Sequence, residues 1–355
     1  MKKIIICLSI LSIFILTLII IAKIDLDDSS ISKNEKTDIN VVSKESSNEV
    51  IYNNELYTYL PKNTNVKLTY KGKSKGADFT RYVEYSKNGK VRFKTLDSNT
   101  TTTTTTIYEL SKDELCKIYF EENLNKDSKY IEKSSKKTII LKSPIKPGNT
   151  WLDVDGTKHT ITDVDKEITL PYGILKTVEV VTYAGNSKIT KYFSKDLGLV
   201  KITFDDNNFS KNSELVSVSK NCPYSENFRI FYYDKANHKS YFKDKMLPLE
   251  FGISNQDALL KELNSPHKNL LTLVSDDIKI NSIVFSVTNN VANIDLDEEP
   301  NLYKLSSNQR KAIILTLVNT IGYNFKVPKC YITVDGEAYY DGFYTVDTSK
   351  FIELK

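Results

Sequence analysis

The stretch SSNQRKAIILTLVNTIG, residues 306–322, has the features that start and stop a helix. Ser306 and Gln309 stand at capping-box spacing, so each side chain can satisfy a backbone N–H that the first turn leaves open. Ile314, Leu317, Val318 and Ile321 then recur at helical spacing as one apolar stripe, and Gly322 sits where a left-handed cap would end the helix. Just upstream, apolar and polar residues alternate on both sides of Asn289-Asn290. A two-residue turn there places Val287 opposite Ala292, Phe285 opposite Ile294 and Ile283 opposite Leu296. One face of this hairpin is apolar. The other, with Val284, Ser286, Thr288, Val291, Asn293 and Asp295, is mostly polar, as in a sheet covered on one side only.

Two helices can cover the apolar face. Besides residues 306–321, Ser254 precedes a segment in which Ala258, Leu259 and Leu263 fall near one side and Asp257 can reach back to the cap. With a first strand at 228–233 and a last one at Tyr331-Ile332-Thr333-Val334-Asp335-Gly336, the order is strand, helix, hairpin, helix, strand, an α+β layer pair. Phe231-Tyr232-Tyr233-Asp234, Asp257-Ala258-Leu259-Leu260 with Pro266 beyond, Val291-Ala292-Asn293-Ile294-Asp295-Leu296, Val318-Asn319-Thr320 and Ile332-Thr333-Val334-Asp335-Gly336 together resemble the sporulation and spore germination domain called GerMN. The resemblance covers about the last third of the chain and rests on the order of the motifs. Where the family tends to have Gly before the proline after the first helix, this chain has Ser265. The resemblance implies a role in sporulation or germination and in assembly at the envelope, through a ring-building fold that packs side by side.

With 355 residues the chain has room for more than one domain. A formal net charge of +4, and arginine only at positions 81, 92, 229 and 310, argue against nucleic acid as a partner. Lys2 and Lys3 precede an apolar run over residues 4–22, close to the roughly 20 residues that cross a bilayer. No small-residue cleavage site follows, so residues 1–24 read as an uncleaved, single-pass transmembrane signal anchor. Lys2 and Lys3, set against Asp25, Asp27 and Asp28, put the N-terminus in the cytoplasm and the rest outside. Cys7 lies inside the apolar run and is not placed like a lipid-modified cysteine, while Cys116, Cys222 and Cys330 have no CxxC spacing and allow at most one bridge among them.

Residues 25–52 are polar and read as a tether. Residues 53–205 alternate in strand fashion and form an extracytoplasmic, mostly antiparallel β domain. In one hairpin, a three-residue loop at Lys87-Asn88-Gly89 would set Tyr85 opposite Val91, Val83 opposite Phe93 and Glu84 opposite Arg92. From Pro147-Gly148-Asn149-Thr150-Trp151 to Leu199-Val200-Lys201 the domain is similar to β modules of exported Gram-positive lipoproteins. Those are curved sheets, and some hold lipid in a concave face. Residues 206–223, rich in Asn, Ser and Lys, read as a linker, and 224–355 as the GerMN-like domain.

No motif for chemistry stands out. His159, His238 and His267 have no sequence-local nucleophile or carboxylate and read as surface or turn residues; a Cys116–His159 dyad is a chance pairing. Asp295, Asp297, Glu298 and Glu299, like Asp153, Asp155 and Asp163, lack EF-hand spacing and read as a strand exit and a hairpin turn. The threonines at 100–106 read as an exposed strand or loose loop. Tyr339, Tyr340, Phe343 and Tyr344 crowd the turn at Asp341-Gly342 and leave some rings for a binding rim. The fold class expected is multidomain α+β behind a transmembrane helix. No catalytic, cofactor or metal residue is assigned. The expected role is that of a non-enzymatic envelope scaffold or interaction protein of a Gram-positive spore former. Its partners would be envelope or sporulation proteins, or further copies of itself. The alternative is an extracytoplasmic lipid- or glycan-binding protein.

Protease added to intact protoplasts is expected to digest both domains; full-size protein in the medium beginning near residues 24–30 would contradict the anchor.

Overall fold

The computed structural model describes residues 54–74, 77–98, 102–122, 137–206, 209–234, 236–265, 279–286, 289–297, 306–349 and 351–353. The expected anchor and tether, with Cys7, lie outside them, as do Val287, Thr288, Pro266 and His267. No helix among the described residues is long and apolar enough to cross a membrane. The protein is mostly antiparallel β with few helices, in two compact units that divide between Tyr224 and Ser225.

The N-terminal unit is one sheet of twelve strands: β1 Val66–Lys71, β2 Phe79–Lys87, β3 Lys90–Asp97, β4 Thr103–Leu110, β5 Glu114–Glu122, β6 Thr138–Lys142, β7 Thr150–Leu152, β8 Lys158–Leu170, β9 Gly173–Ala184, β10 Ser187–Ser194, β11 Gly198–Asp206 and β12 Phe209–Ser219. Each strand pairs with its sequence neighbour from β1 to β6 and from β7 to β12, and β1 pairs with β12 to join the halves. The linker expected over 206–223 is therefore corrected: most of it is β12. Lys211, Ser213 and Leu215 alternate inward there, and the Ser213 hydroxyl donates to the Ala77 carbonyl at 2.7 Å. Because two of the three inward side chains are polar, the alternation carries no hydrophobic signal. Likewise Thr105 and Thr106 of β4 are buried, not exposed; residues 100 and 101 lie outside the description.

The β2–β3 hairpin turns on two residues, Asn88 and Gly89, both at positive φ, with Lys87 opposite Lys90 and Tyr85 opposite Arg92. A bulge between Val83 and Tyr85 then brings Val83 opposite Phe93, as expected, and leaves Glu84 paired to Arg92 at 2.9 Å. The three-residue loop is thus replaced by a tighter turn plus a bulge that keeps Val83, Val91 and Phe93 on one face but puts Ser86, not Tyr85, opposite Val91.

The C-terminal unit contains β13 Ser225–Asp234, β14 Lys239–Pro248, α1 Asn255–Leu263, β15 Ile280–Ser286, β16 Val291–Leu296, α2 Ser307–Phe325, β17 Lys329–Val334, β18 Glu337–Thr345 and β19 Ile352–Glu353. It has two sheets, ordered β13-β14-β19 and β15-β16-β17-β18. Both capping boxes form, Ser254 with Asp257 and Ser306 with Gln309. β16 and β17 are parallel, which requires the crossover that α2 supplies. In the β15–β16 hairpin Ile283 faces Ile294 and Phe285 faces Ala292, two residues away from the register that a two-residue turn sets. A shift of two keeps every side chain on its face, so the apolar side survives.

α2 runs past Gly322 and ends on Lys326, which takes the left-handed conformation at φ 60°. Gly322 instead admits a neighbour: a Cβ there would meet Val346 Cγ2 at 2.1 Å and the Val327 carbonyl oxygen at 2.9 Å. The stripe Ile314, Leu317, Val318 and Ile321 is buried with Leu259, Ile283, Ile294 and Ile332 in one core. On other sides of α2, Thr320 and Asn324 reach the open edge of β13. Phe231 N–H donates to Thr320 Oγ1 at 3.1 Å, Arg229 N–H to Asn324 Oδ1 at 3.0 Å, and Asn324 Nδ2 donates to the Arg229 carbonyl at 2.7 Å. Asn319 makes the same two-way contact with the backbone of Asp347, at 2.7 Å each way.

Two substitutions test this packing by urea denaturation. Leu317→Asp places an unpaired charge in the core and is expected to unfold the C-terminal unit. Gly322→Ala, though it favours the isolated helix by about 1 kcal/mol, is expected to cost about 1–3 kcal/mol through overpacking. Adding Val346→Ala should recover most of that loss.

Candidate functional sites

Two places concentrate side chains that the cores do not account for. The first is the solvent face of the four-stranded sheet. Register aligns Val284, Asn293, Tyr331 and Phe343 in one row across β15, β16, β17 and β18. Val284 and Phe343 are exposed, and the Tyr331 and Phe343 rings lie 4.7 Å apart. Between β17 and β18 the pairing jumps from Tyr331–Phe343 to Thr333–Ala338, so residues 339–342 bulge from the sheet edge. Gly342, at φ 75°, leaves room for the Tyr331 ring, which a Cβ would meet at 2.2 Å. Tyr340 has φ 54°, an unfavourable conformation for a bulky side chain, and is 72 % exposed. Of the crowded rings, Tyr339 is buried, while Tyr340 and Phe343 are left to the rim.

Beside this row Asp295 accepts from the Thr333 hydroxyl at 2.5 Å, Gly336 N–H at 2.9 Å and Asn281 Nδ2 at 3.1 Å. Burial pushes its carboxyl up, but these hydrogen bonds outweigh it and hold it below the usual carboxylate range. Asp295 thus fastens the β17–β18 turn. Glu298 and Glu299 lie outside the described residues.

The second place is the seam between β6 and β7, the two ends of the twelve-stranded sheet. Trp151 Nε1 donates to the Ile139 carbonyl at 3.1 Å, Ile139 N–H donates to Asp153 Oδ1 at 3.0 Å, and Asn149 Nδ2 donates to the Lys142 carbonyl at 2.8 Å. These side-chain bonds join the end strands and close the sheet into a ring. His159, expected at the surface, is buried beneath the seam: Nε2 lies 2.8 Å from Asp153 Oδ2, Nδ1 lies 2.6 Å from Thr182 Oγ1, and the ring stacks on Trp151. Protonation at Nε2 satisfies both contacts, with the Thr182 hydroxyl donating to Nδ1. Hydroxyl, imidazole and carboxylate in series also describe a nucleophile, base and orienter. Here none of the three is more than 9 % exposed, so the arrangement braces the wall. The Asp153 and His159 spacing is too unspecific for the sequence to reveal it.

Cys116 and His159 have different partners. Cys116 Sγ lies 3.8 Å from Glu114 Oε2, and burial pushes its thiol up to about 11. Burial likewise raises Cys330 to about 12, and Cys116, Cys222 and Cys330 are all free thiols. His238 stands exposed in the β13–β14 turn at φ 54°, beside the Tyr233 hydroxyl. Asp155 accepts from Thr157 N–H and Asp163 from Asp165 N–H, both as local turns. Among the described residues no three potential ligands cluster for a metal.

Residues 231–340 match the family model described as Germane, sporulation and spore germination. The C-terminal unit is GerMN-like. The match runs from the end of β13 into the first half of β18, which takes in α2 and, of the row across the four-stranded sheet, Val284, Asn293 and Tyr331 but not Phe343. A solved structure of the tandem GerMN domains of the sporulation protein GerM from Bacillus subtilis is 16 % identical, covering 36 % of this chain and 42 % of that one at a TM-score of 0.24. A structure of a protein described as exported, with a YmcC-like fold, from Bacteroides fragilis is 10 % identical and covers 45 % of this chain and 98 % of its own at a TM-score of 0.30. A protein described as a lipoprotein from Parabacteroides distasonis is 12 % identical, with 46 % and 98 % covered at a TM-score of 0.28. A search of curated proteins found no match.

Asp153→Leu leaves Ile139 N–H and His159 Nε2 without their acceptor and is expected to cost about 2–6 kcal/mol, at about 1–3 kcal/mol for each buried group. The loss should appear in the unfolding of the N-terminal unit and leave the C-terminal one unchanged.

Proposed function

We propose that this chain is a membrane-anchored, non-enzymatic envelope protein that acts as a scaffold or interaction partner in sporulation or spore germination, through its GerMN-like unit. The observation that carries the reading is the row of exposed Val284, half-buried Tyr331 and exposed Phe343 beside the bulged edge that presents Tyr340. Exposed apolar side chains on a sheet face, next to a strained edge that holds a tyrosine out, are useful where another surface covers them. The edge strand is bulged, which blocks indiscriminate strand addition and leaves side-chain docking as the mode of contact. The partner is an envelope or sporulation protein, or a second copy of the chain. The N-terminal anchor, with the N-terminus cytoplasmic, holds both units on the outer side of the membrane.

The test is a folded surface variant. Tyr340→Ser with Phe343→Ser removes two exposed rings, leaves the buried core untouched, and is expected to keep the C-terminal unit folded. The same variant should lose the partners that co-purify with tagged wild-type protein from sporulating cells, together with the sporulation or germination phenotype. Unchanged partners and phenotype in the folded variant would contradict the reading.

A further inference from the structure

The closed ring of the N-terminal unit has an interior whose charges do not balance. About eight strands enclose a space that side chains just fill, and the diameter grows with strand number; twelve strands are joined here among the described residues. The 3-10 turn Glu55–Tyr59 packs Leu56 and Tyr59 into the apolar part of that interior. Elsewhere the inward positions carry cations. Lys117 on β5 lies opposite Tyr108 and two residues from the core residue Leu115; Lys191 on β10 lies opposite Val180 and two residues from the core residue Phe193; Arg81 on β2 lies opposite Leu68.

Lys117 is only 7 % exposed, and its ammonium lies over the Phe120 ring at 5.4 Å; among the described residues neither it nor the ammonium of Lys191 has a hydrogen bond or an anionic partner in contact. Arg81 donates through Nε to Thr95 Oγ1 at 3.3 Å and leans on the Phe93 ring, with no hydrogen bond from its terminal nitrogens among the described residues. The three cations, from strands far apart in the sheet, act on one another across the interior. Burial, and then the charge of Lys191, push Lys117 down to about 8; burial lowers Lys191, with Asp153 opposing and Arg81 adding. The carboxylate that both lysines feel is Asp153, already engaged by Ile139 N–H and His159. Lys211, also inward, differs in that Asp97 supports its charge. Lys191 itself is half-buried.

Buried charge without a partner is costly, and a folded chain retains it where a ligand supplies the counter-charge. We propose that the interior of the N-terminal unit is a binding site for a phosphate-bearing ligand, held by Lys117 and Lys191 with Arg81. Two ammonium groups and a guanidinium fork suit the several oxygens and multiple charge of a phosphate group. Tyr70, Phe79 and Phe93 on the same inner face offer apolar contact to whatever the phosphate carries. This inference concerns a different unit from the proposed docking surface and stands without it.

The experiment uses the full chain purified in a neutral detergent without phosphate. Inorganic phosphate, and separately micelles doped with phosphatidylglycerol or with phosphatidylcholine, are titrated while the melting temperature and the phosphorus NMR line width are followed. A response to inorganic phosphate assigns a small phosphate compound, and a response to phosphatidylglycerol alone assigns a lipid headgroup. Lys117→Met and Lys191→Met are each expected to weaken binding about tenfold or more, and to raise the melting temperature of the ligand-free protein. A purely structural lysine would lower it. Should either variant fail to fold, reductive methylation of the wild type read by mass spectrometry takes its place: ligand must protect Lys117 and Lys191. No wild-type response to any probe, a wild-type response retained in the folded variants, or no protection would overturn the proposal.

Discussion

The C-terminal unit depends on α2 being buried on more than one side. A helix with one apolar stripe serves one sheet; α2 serves two because its polar side chains are spent on backbone. Asn324 and Thr320 supply hydrogen bonds to the open edge of β13, and Asn319 does the same for Asp347. Thr316, Asn319 and Thr320 are at most 1 % exposed, so each must be satisfied inside the protein. The Val318-Asn319-Thr320 motif then has a physical meaning: Val318 packs the core while Asn319 and Thr320 tie the chain that returns beside it. Gly322 completes the arrangement by letting Val346 lie against the helix.

The elements legible in the sequence are those where local chemistry and burial agree. Both capping boxes, the stripe of α2, and the faces of the β15–β16 hairpin follow from residue type and spacing alone. What escaped is explained by polar residues in buried places and exposed residues in strands. β12 hid behind inward Lys211 and Ser213. β14 pairs along all of β13, but its side chains are mostly exposed, so no apolar period marks it. The end of α2 was misplaced because Gly322 signals close packing there and not a left-handed cap, a role Lys326 takes without glycine. The site residues were less legible still. Asp153 and His159 meet across a hairpin whose pairing is needed to bring them together, and the row Val284, Tyr331 and Phe343 exists only once three registers are known.

The two units solve the edge problem of β structure in different ways. The N-terminal unit removes its edges: β1 and β12 pair, and the ends β6 and β7 are joined by Trp151, Asp153 and Asn149 through side-chain hydrogen bonds. Such a seam needs no ladder register, and it brings polar side chains to the inner wall. The C-terminal unit covers the β13 edge with α2 and distorts the β18 edge with a bulge.

Amide hydrogen exchange of the full chain tests the role of α2 most directly. The Arg229, Phe231 and Asp347 amides should exchange only when the C-terminal unit unfolds globally, at the same free energy as Leu317 in the core of α2. Fast exchange at Arg229, Phe231 and Asp347 while Leu317 stays protected would contradict it, because the strand edge and the returning chain would then be opening without the helix.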